Sequence, residues 1–344
     1  MKAVTLMFVV LFAISAISAT VWHVNNVVIP TGAPSILRDF TDLQSANDSP
    51  SVANGDTLYI YAGSYPGATI TKQLTIIGTG YFLSENPETQ FINQPSYVDV
   101  ISFNSGSEYS VITGLDLRQV NVNETNNVTI KRNYIHWENS PLVHISNSFN
   151  TLVLQNYLFS QYGNNCILID GVYSNPITGI QIKNNIIYNE WAQHDYNTFK
   201  SIYSSAACLV ENNILRGCID VIGANINNNI LWLGNYYGHE TSIYMNNICN
   251  STQFALDGVN GNQCDMDILG QVILWSGSTD GRFMLRPGSP AIGAGLNGID
   301  CGAFGGGTPY VLSGMPSEIP SVWFFESSYV GYTYPFHIKA KSHK

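Results

Sequence analysis

Along the middle of the chain, short apolar stretches alternate with polar bends in a recurring order. The pattern of an apolar residue, two or three polar ones ending in Asn, and a second apolar pair occurs six times. It occupies Val128–Ile135, Val153–Leu158, Ile182–Ile187, Val210–Leu215, Ile226–Leu231 and Tyr244–Cys249. Its Asn residues are Asn133, Asn156, Asn185, Asn213, Asn229 and Asn247, separated by 23, 29, 28, 16 and 18 residues. A short strand points alternate residues inward. A bend then needs a residue that tolerates the left-handed region and bonds nearby backbone, which Asn does. If each repeat is one turn of a coil, turns stack at the ~4.8 Å strand spacing and the Asn amides form a ladder. Loops of variable length leaving other corners account for the uneven spacing. The pattern predicts a parallel β-solenoid. An all-β sandwich would instead place hairpin turns such as Asn-Gly between strands. Asn-Gly occurs only at Asn54, Asn260 and Asn297, outside the repeats.

Composition agrees with this architecture. The 344 residues include 36 Asn, and only 11% are charged, against about 25% in an average soluble domain. With 45% apolar residues the chain is too hydrophobic to be disordered. Few strong helix formers are present, which argues against a helical bundle. A net charge of −10 excludes a nucleic-acid partner read through a basic face.

Met1-Lys2 precedes an apolar run to about Ala16 and the small residues Ser18 and Ala19. This reads as a signal peptide over residues 1–19, cleaved near Ala19-Thr20, and predicts a secreted or cell-surface protein. The run is shorter than the ~20 residues of a membrane-spanning helix, and no other segment matches that length. Cys166, Cys208, Cys218, Cys249, Cys264 and Cys301 permit three disulfides in an exported chain. Some of them read equally well as small buried core residues.

Two end segments carry a family resemblance. Near the N-terminus stand Leu43-Gln44-Ser45-Ala46, Asn54-Gly55-Asp56-Thr57, Gly63-Ser64-Tyr65 and the run Leu74–Gly78. Near the C-terminus stands Phe283–Gly295, followed by Asp300-Cys301-Gly302-Ala303-Phe304. These resemble the opening coils and the closing coil of secreted right-handed parallel β-helix proteins, the pectin-lyase-like superfamily. The resemblance implies an all-β, single-stranded right-handed parallel β-helix of roughly ten coils over residues 20–310. It implies a capping helix at one end, and Ile36, Leu37, Phe40, Leu43 and Ala46 stand at helical spacing for it. Residues 311–344 would form a short β tail that closes the other end of the solenoid or attaches the protein to a surface.

The resemblance fixes the fold and not the activity. β-Helix enzymes act on polysaccharides, yet the Asp-Asp pair of polygalacturonases and the Arg-x-Pro-x-x-Arg pattern of pectate lyases are both absent. The remaining acid/base candidates are the loop pairs His194-Asp195 and His239-Glu240. The residue three beyond each repeat Asn gives His136, Phe159, Tyr188, Arg216, Trp232 and Asn250. In register these form one outward column suited to sugar rings and carboxylates, or else to packing under loops. Lys183 and Glu211 share a repeat position and predict a cross-coil ion pair of small value. Asp257, Asp265 and Asp267 lie in a Gly-rich loop and are candidate oxygen ligands for Ca²⁺, although no cofactor is required. The scarcity of charge favours a non-catalytic scaffold binding polysaccharide or cell-surface glycan. A polysaccharide lyase or glycoside hydrolase is the alternative.

Overall fold

The computed structural model describes residues 19–27, 37–137, 141–171, 178–193, 200–234, 236–238, 241–250, 258–327 and 336–343. The leader expected over residues 1–19 therefore lies, but for its last residue, outside the described residues. The chain is a parallel β-helix. One ten-stranded parallel sheet takes a single strand from each coil, from Val21–Val24 at one end to Ile243–Met245 at the other. A second sheet supplies the other two faces. Its long strands Ser96–Phe103 and Asp116–Asn123 each span both faces. Beyond them the sheet divides. The first half of Asp116–Asn123 pairs with Tyr134–Trp137, and the second half with Val143–Ser146. One branch then stacks Tyr157–Ser160, Ile186–Asn189, Ile214–Arg216, Ile230–Trp232 and Ile248–Cys249. The other stacks Ile167–Asp170, Lys200–Ser204, Cys218–Val221 and Tyr236–Gly238.

The inward column of the ten-stranded sheet runs Leu58, Ile76, Ile112, Ile130, Val153, Ile182, Val210 and Ile226, each fully buried. The bend beside it is held by the Asn ladder. Both the backbone N–H and the side-chain Nδ2 of Asn185 donate to Asn213 Oδ1, at 2.9 and 3.0 Å. Its Nδ2 also reaches the Val153 carbonyl of the preceding coil at 2.9 Å. The same bonds recur at Asn133, Asn156, Asn213, Asn229 and Asn247 and end on Asn262. The left-handed residue is a different one, immediately before the ladder: Arg132, Gln155, Asn184, Asn212, Asn228 and Asn246 all have φ between 53° and 57°. Lys183 and Glu211 pair at 2.8 Å across the same corner, as the repeat predicts.

At the N-terminal end the capping helix is shorter than the apolar spacing predicts. It spans Leu43–Asp48, because Asp42 caps it and accepts the Ser45 N–H at 2.8 Å. Leu43 and Ala46 are buried, Phe40 forms a bridge to Val24, and Leu37 is 64% exposed. Ile36 lies outside the described residues. Asp56 of the Gly-Asp-Thr segment ties the first coils, accepting from Thr20 N, Ala53 N and the Trp22 indole. Burial raises its carboxyl pKa, but these three hydrogen bonds and the Lys72 charge outweigh burial and hold it below the usual range.

The C-terminal part departs most from expectation. Residues 266–315 add no closing coil; a hairpin reaches along the outside of the solenoid to Asn86 at Asp280 and comes back to Asn246 at Ala294, and residues 294–315 then return along the outside. Asn246 Nδ2 donates to Ala294 O, Asn212 Nδ2 to Asp300 O, Asn184 Nδ2 to Gly305 O and Arg132 Nη1 to Met315 O. The left-handed column is thus a rail along which the returning chain docks. The two passes enclose a second core of Tyr157, Ile186, Ile214, Ile230 and Ile248 against Val272, Phe283, Cys301 and Ala303. Gly302, at φ +88°, lies so close to this row that an added Cβ would stand 2.6 Å from Ile230 Cδ1. The tail strands Ser321–Ser327 and Phe336–Lys341 pair antiparallel. They sit beside the 88–91 loop, where Phe91 N donates to Val322 O at 2.6 Å. The return carries them toward the N-terminal coils, so they do not close the C-terminal end. There, Cys249 and Cys264 form a disulfide on the last rung.

Candidate functional site

The outward column forms in the predicted register. His136 pairs with Phe159, Phe159 with Tyr188, Tyr188 with Arg216, and Arg216 with Trp232. The column divides into a packed and an open part. Tyr188, Arg216 and Trp232 are 9%, 4% and 7% exposed. The Arg216 guanidinium lies 4.6 Å from the Tyr188 ring centroid and 5.0 Å from that of Trp232. From the returning chain, Trp275 meets Trp232 edge-on at 4.8 Å, and Arg282 stacks over Trp275 at 4.5 Å. Burial lowers the Arg216 pKa and raises that of Tyr188. These three predicted ligand residues are packed against the chain's own return segment.

His136 and Phe159 remain at the surface. With Tyr97, Trp137 and Gln161 they line a hollow of about 230 Å³. His136 Nε2 lies 2.8 Å from Asp116 Oδ1, and its ring stacks on Tyr134 at 4.2 Å and 16°. Arg118 pairs with Asp99 at 2.9 Å and covers the Trp137 ring at 4.4 Å. The parallel strands explain this grouping. Asp116 opposes both Tyr97 and Tyr134, so side chains 20 residues apart meet one coil apart. Sequence reading found His136 and Phe159 but missed Tyr97, Asp116, Arg118 and Trp137. The available signal was the coil length, since the six-fold Asn pattern starts only at Asn133.

The adjoining face carries a second arrangement of the same kind. His144 Nε2 lies 3.0 Å from Asp170 Oδ1, and Lys200 pairs with Asp220 while covering the Tyr203 ring at 4.7 Å. His194, Asp195, His239 and Glu240, the predicted acid/base pairs, lie outside the described residues, as does Asp257. Asp267 caps a helical turn at Ile268–Val272, accepting Gly270 N–H at 2.9 Å. Asp265 occupies a left-handed turn at φ 61°. Among the described residues no three His, Cys, Asp or Glu side chains gather as a metal site. No described helix is long and apolar enough to cross a membrane.

No family model matches the chain, and no curated protein matches it. Among solved structures, the crystal structure of pectate lyase Pel9A is similar at 12% identity, over 84% of this chain and 97% of that one, with a TM-score of 0.34.

Proposed function

We propose that this protein is an exported scaffold that binds polysaccharide at the open part of its lateral column and does not cleave it. The observation that carries the reading is the surface hollow formed by Tyr97, His136, Trp137, Phe159 and Gln161. Aromatic rings there offer apolar faces to sugar C–H groups, and the Gln161 amide and His136 imidazole offer hydrogen bonds to hydroxyls. Its charged groups are already engaged, Arg118 with Asp99 and the Asp116 carboxylate with His136 Nε2. A balanced site of this kind suits holding a ligand better than driving a charge-developing reaction.

One observation favours a second reading, a polysaccharide lyase or glycoside hydrolase. Asp116 holds one nitrogen of His136 at 2.8 Å, which leaves the other for proton transfer. Affinity electrophoresis through gels containing neutral or acidic polysaccharide, run beside assays for new reducing ends and unsaturated products, separates the two. The binding reading expects retardation by at least one polysaccharide, weakened about tenfold by Trp137→Ala or Phe159→Ala, a loss of ~1.4 kcal/mol. Product release that His136→Ala abolishes would establish the enzyme instead. Absence of both retardation and product would remove both readings.

A further inference from the structure

A larger cleft lies apart from the lateral column, on the outer side of the first coils. It measures about 670 Å³ and is walled by Leu37, Tyr59, Tyr61, Phe91, Ile92 and Val322, within the range of small-molecule sites. A second hollow of about 280 Å³ shares Tyr59 and Tyr61 and extends to Ile319 and Pro320. At the mouth Leu37, Phe91 and Ile92 are 64%, 62% and 62% exposed. Such a contiguous apolar patch is unusual on a surface otherwise rich in Asn.

The chemistry of the lining limits the occupant. Several of its polar groups already have partners: Asn25 Oδ1 accepts Val27 N–H at 3.0 Å, and Thr79 Oγ1 donates to the Gln94 carbonyl at 3.1 Å. Gln90 Oε1 accepts Val322 N–H at 3.4 Å. Burial pushes the Tyr59 phenol up to about 12, with Tyr61 adding to it, so this wall stays uncharged. A sugar would find few hydroxyl partners here, whereas a hydrocarbon chain would lose no hydrogen bond on entering. One cation stands at the rim. Arg38 follows the lining residue Leu37 in sequence, and its Nη1 donates to the carbonyl of Val27, a second lining residue, at 3.3 Å. Among the described residues no carboxylate pairs with it. The neighbouring Asp39 carboxylate accepts the His23 N–H at 2.7 Å.

An uncharged apolar cleft with an unmatched guanidinium at its mouth matches an amphiphile with a carboxylate head. We infer that this cleft binds a free fatty acid, with the acyl chain against Tyr59, Tyr61, Phe91 and Val322 and the carboxylate on Arg38. The full chain, titrated with the fluorescent fatty acid cis-parinarate, tests this. The expected result is one saturable site from which palmitate displaces the probe about tenfold better than hexadecanol. Arg38→Ala should erase that preference, and Ile92→Asp, at an exposed position that leaves the fold intact by circular dichroism, should abolish probe binding. Absence of saturable binding would overturn the inference, as would a palmitate preference that survives Arg38→Ala. Adsorption to phosphatidylcholine vesicles without uptake of the free acid would overturn it in favour of a membrane-docking patch.

Discussion

Asn184 and Asn185 are neighbours in sequence with different physical jobs. Asn184 is the left-handed residue of its bend, at φ 53°, and its side chain holds the returning chain through Ala303 O and Gly305 O. Asn185 is fully buried, and its amide both donates to and accepts from the coils on either side. Asn185→Ala leaves the Asn156 N–H, the Val153 carbonyl and Asn213 Oδ1 short of partners. Its cost in chemical denaturation should be about 2–4 kcal/mol. Asn184→Gly keeps the backbone conformation and loses only the docking bonds, so it should cost about 1 kcal/mol. Equal costs at the two positions would contradict this division. The ladder was readable in the sequence because the planar amide must donate and accept one coil away on a side chain short enough to stay in the bend, and Gln is one methylene longer, so the position repeats as Asn. The left-handed position was not readable in the same way. Arg132 and Gln155 occupy it where their longer side chains reach the return segment at Met315 and Pro309, which offsets a strain of about 1–2 kcal/mol.

At the scale of elements, the returning chain sets what the lateral face can do. It buries Tyr188, Arg216 and Trp232 and leaves His136 and Phe159 open. A sequence signal for this existed. Ile186-Ile187-Tyr188, Ile214-Leu215 and Ile230-Leu231-Trp232 are apolar on both alternating faces, the mark of a strand covered on both sides. The earlier strand Tyr134–Trp137 alternates instead and faces solvent on one side. The covering segment was readable as a chain ending but not in its direction, because nothing local distinguishes one more coil from a return. Its end at the N-terminal coils is fixed by a fully buried carboxylate. Asp280 accepts from Asn86 Nδ2 at 2.9 Å, Ser313 N at 2.7 Å and Tyr310 Oη at 3.3 Å, and Tyr310 Oη in turn lies 2.7 Å from Tyr81 Oη. Asp280→Ala strands these groups in the second core. We expect a loss of about 3–5 kcal/mol in denaturant melts, with increased exposure of Trp275 measured by acrylamide quenching. A loss below about 1 kcal/mol would mean that the return segment docks without this anchor.

For the molecule as a whole, the return segment changes how the solenoid should unfold. A bare stack of coils has only nearest-neighbour contacts and can fray from either end. Here the same segment bonds the rail at Asn246, Asn228, Asn212, Asn184, Gln155 and Arg132, so a coil lost at one end loosens the strap over all the others. The Cys249–Cys264 disulfide stands where this coupling begins. It closes a loop of 15 residues on the last rung, and Met266 N donates to Cys249 O at 3.0 Å as the chain leaves the coil. A cross-link of that length constrains the unfolded chain by about 3 kcal/mol. If the coils were independent, the double variant Cys249→Ser, Cys264→Ser would produce a small early transition from the last coil and leave the main one in place. Because the strap couples them, we expect a single transition whose midpoint falls by the full amount, followed in denaturant by circular dichroism and by Trp275 fluorescence. Superposition of the two probes in both variant and parent supports the coupling. An early fluorescence change ahead of the loss of β signal would show that the return segment detaches first, and that the solenoid holds together by coil stacking alone.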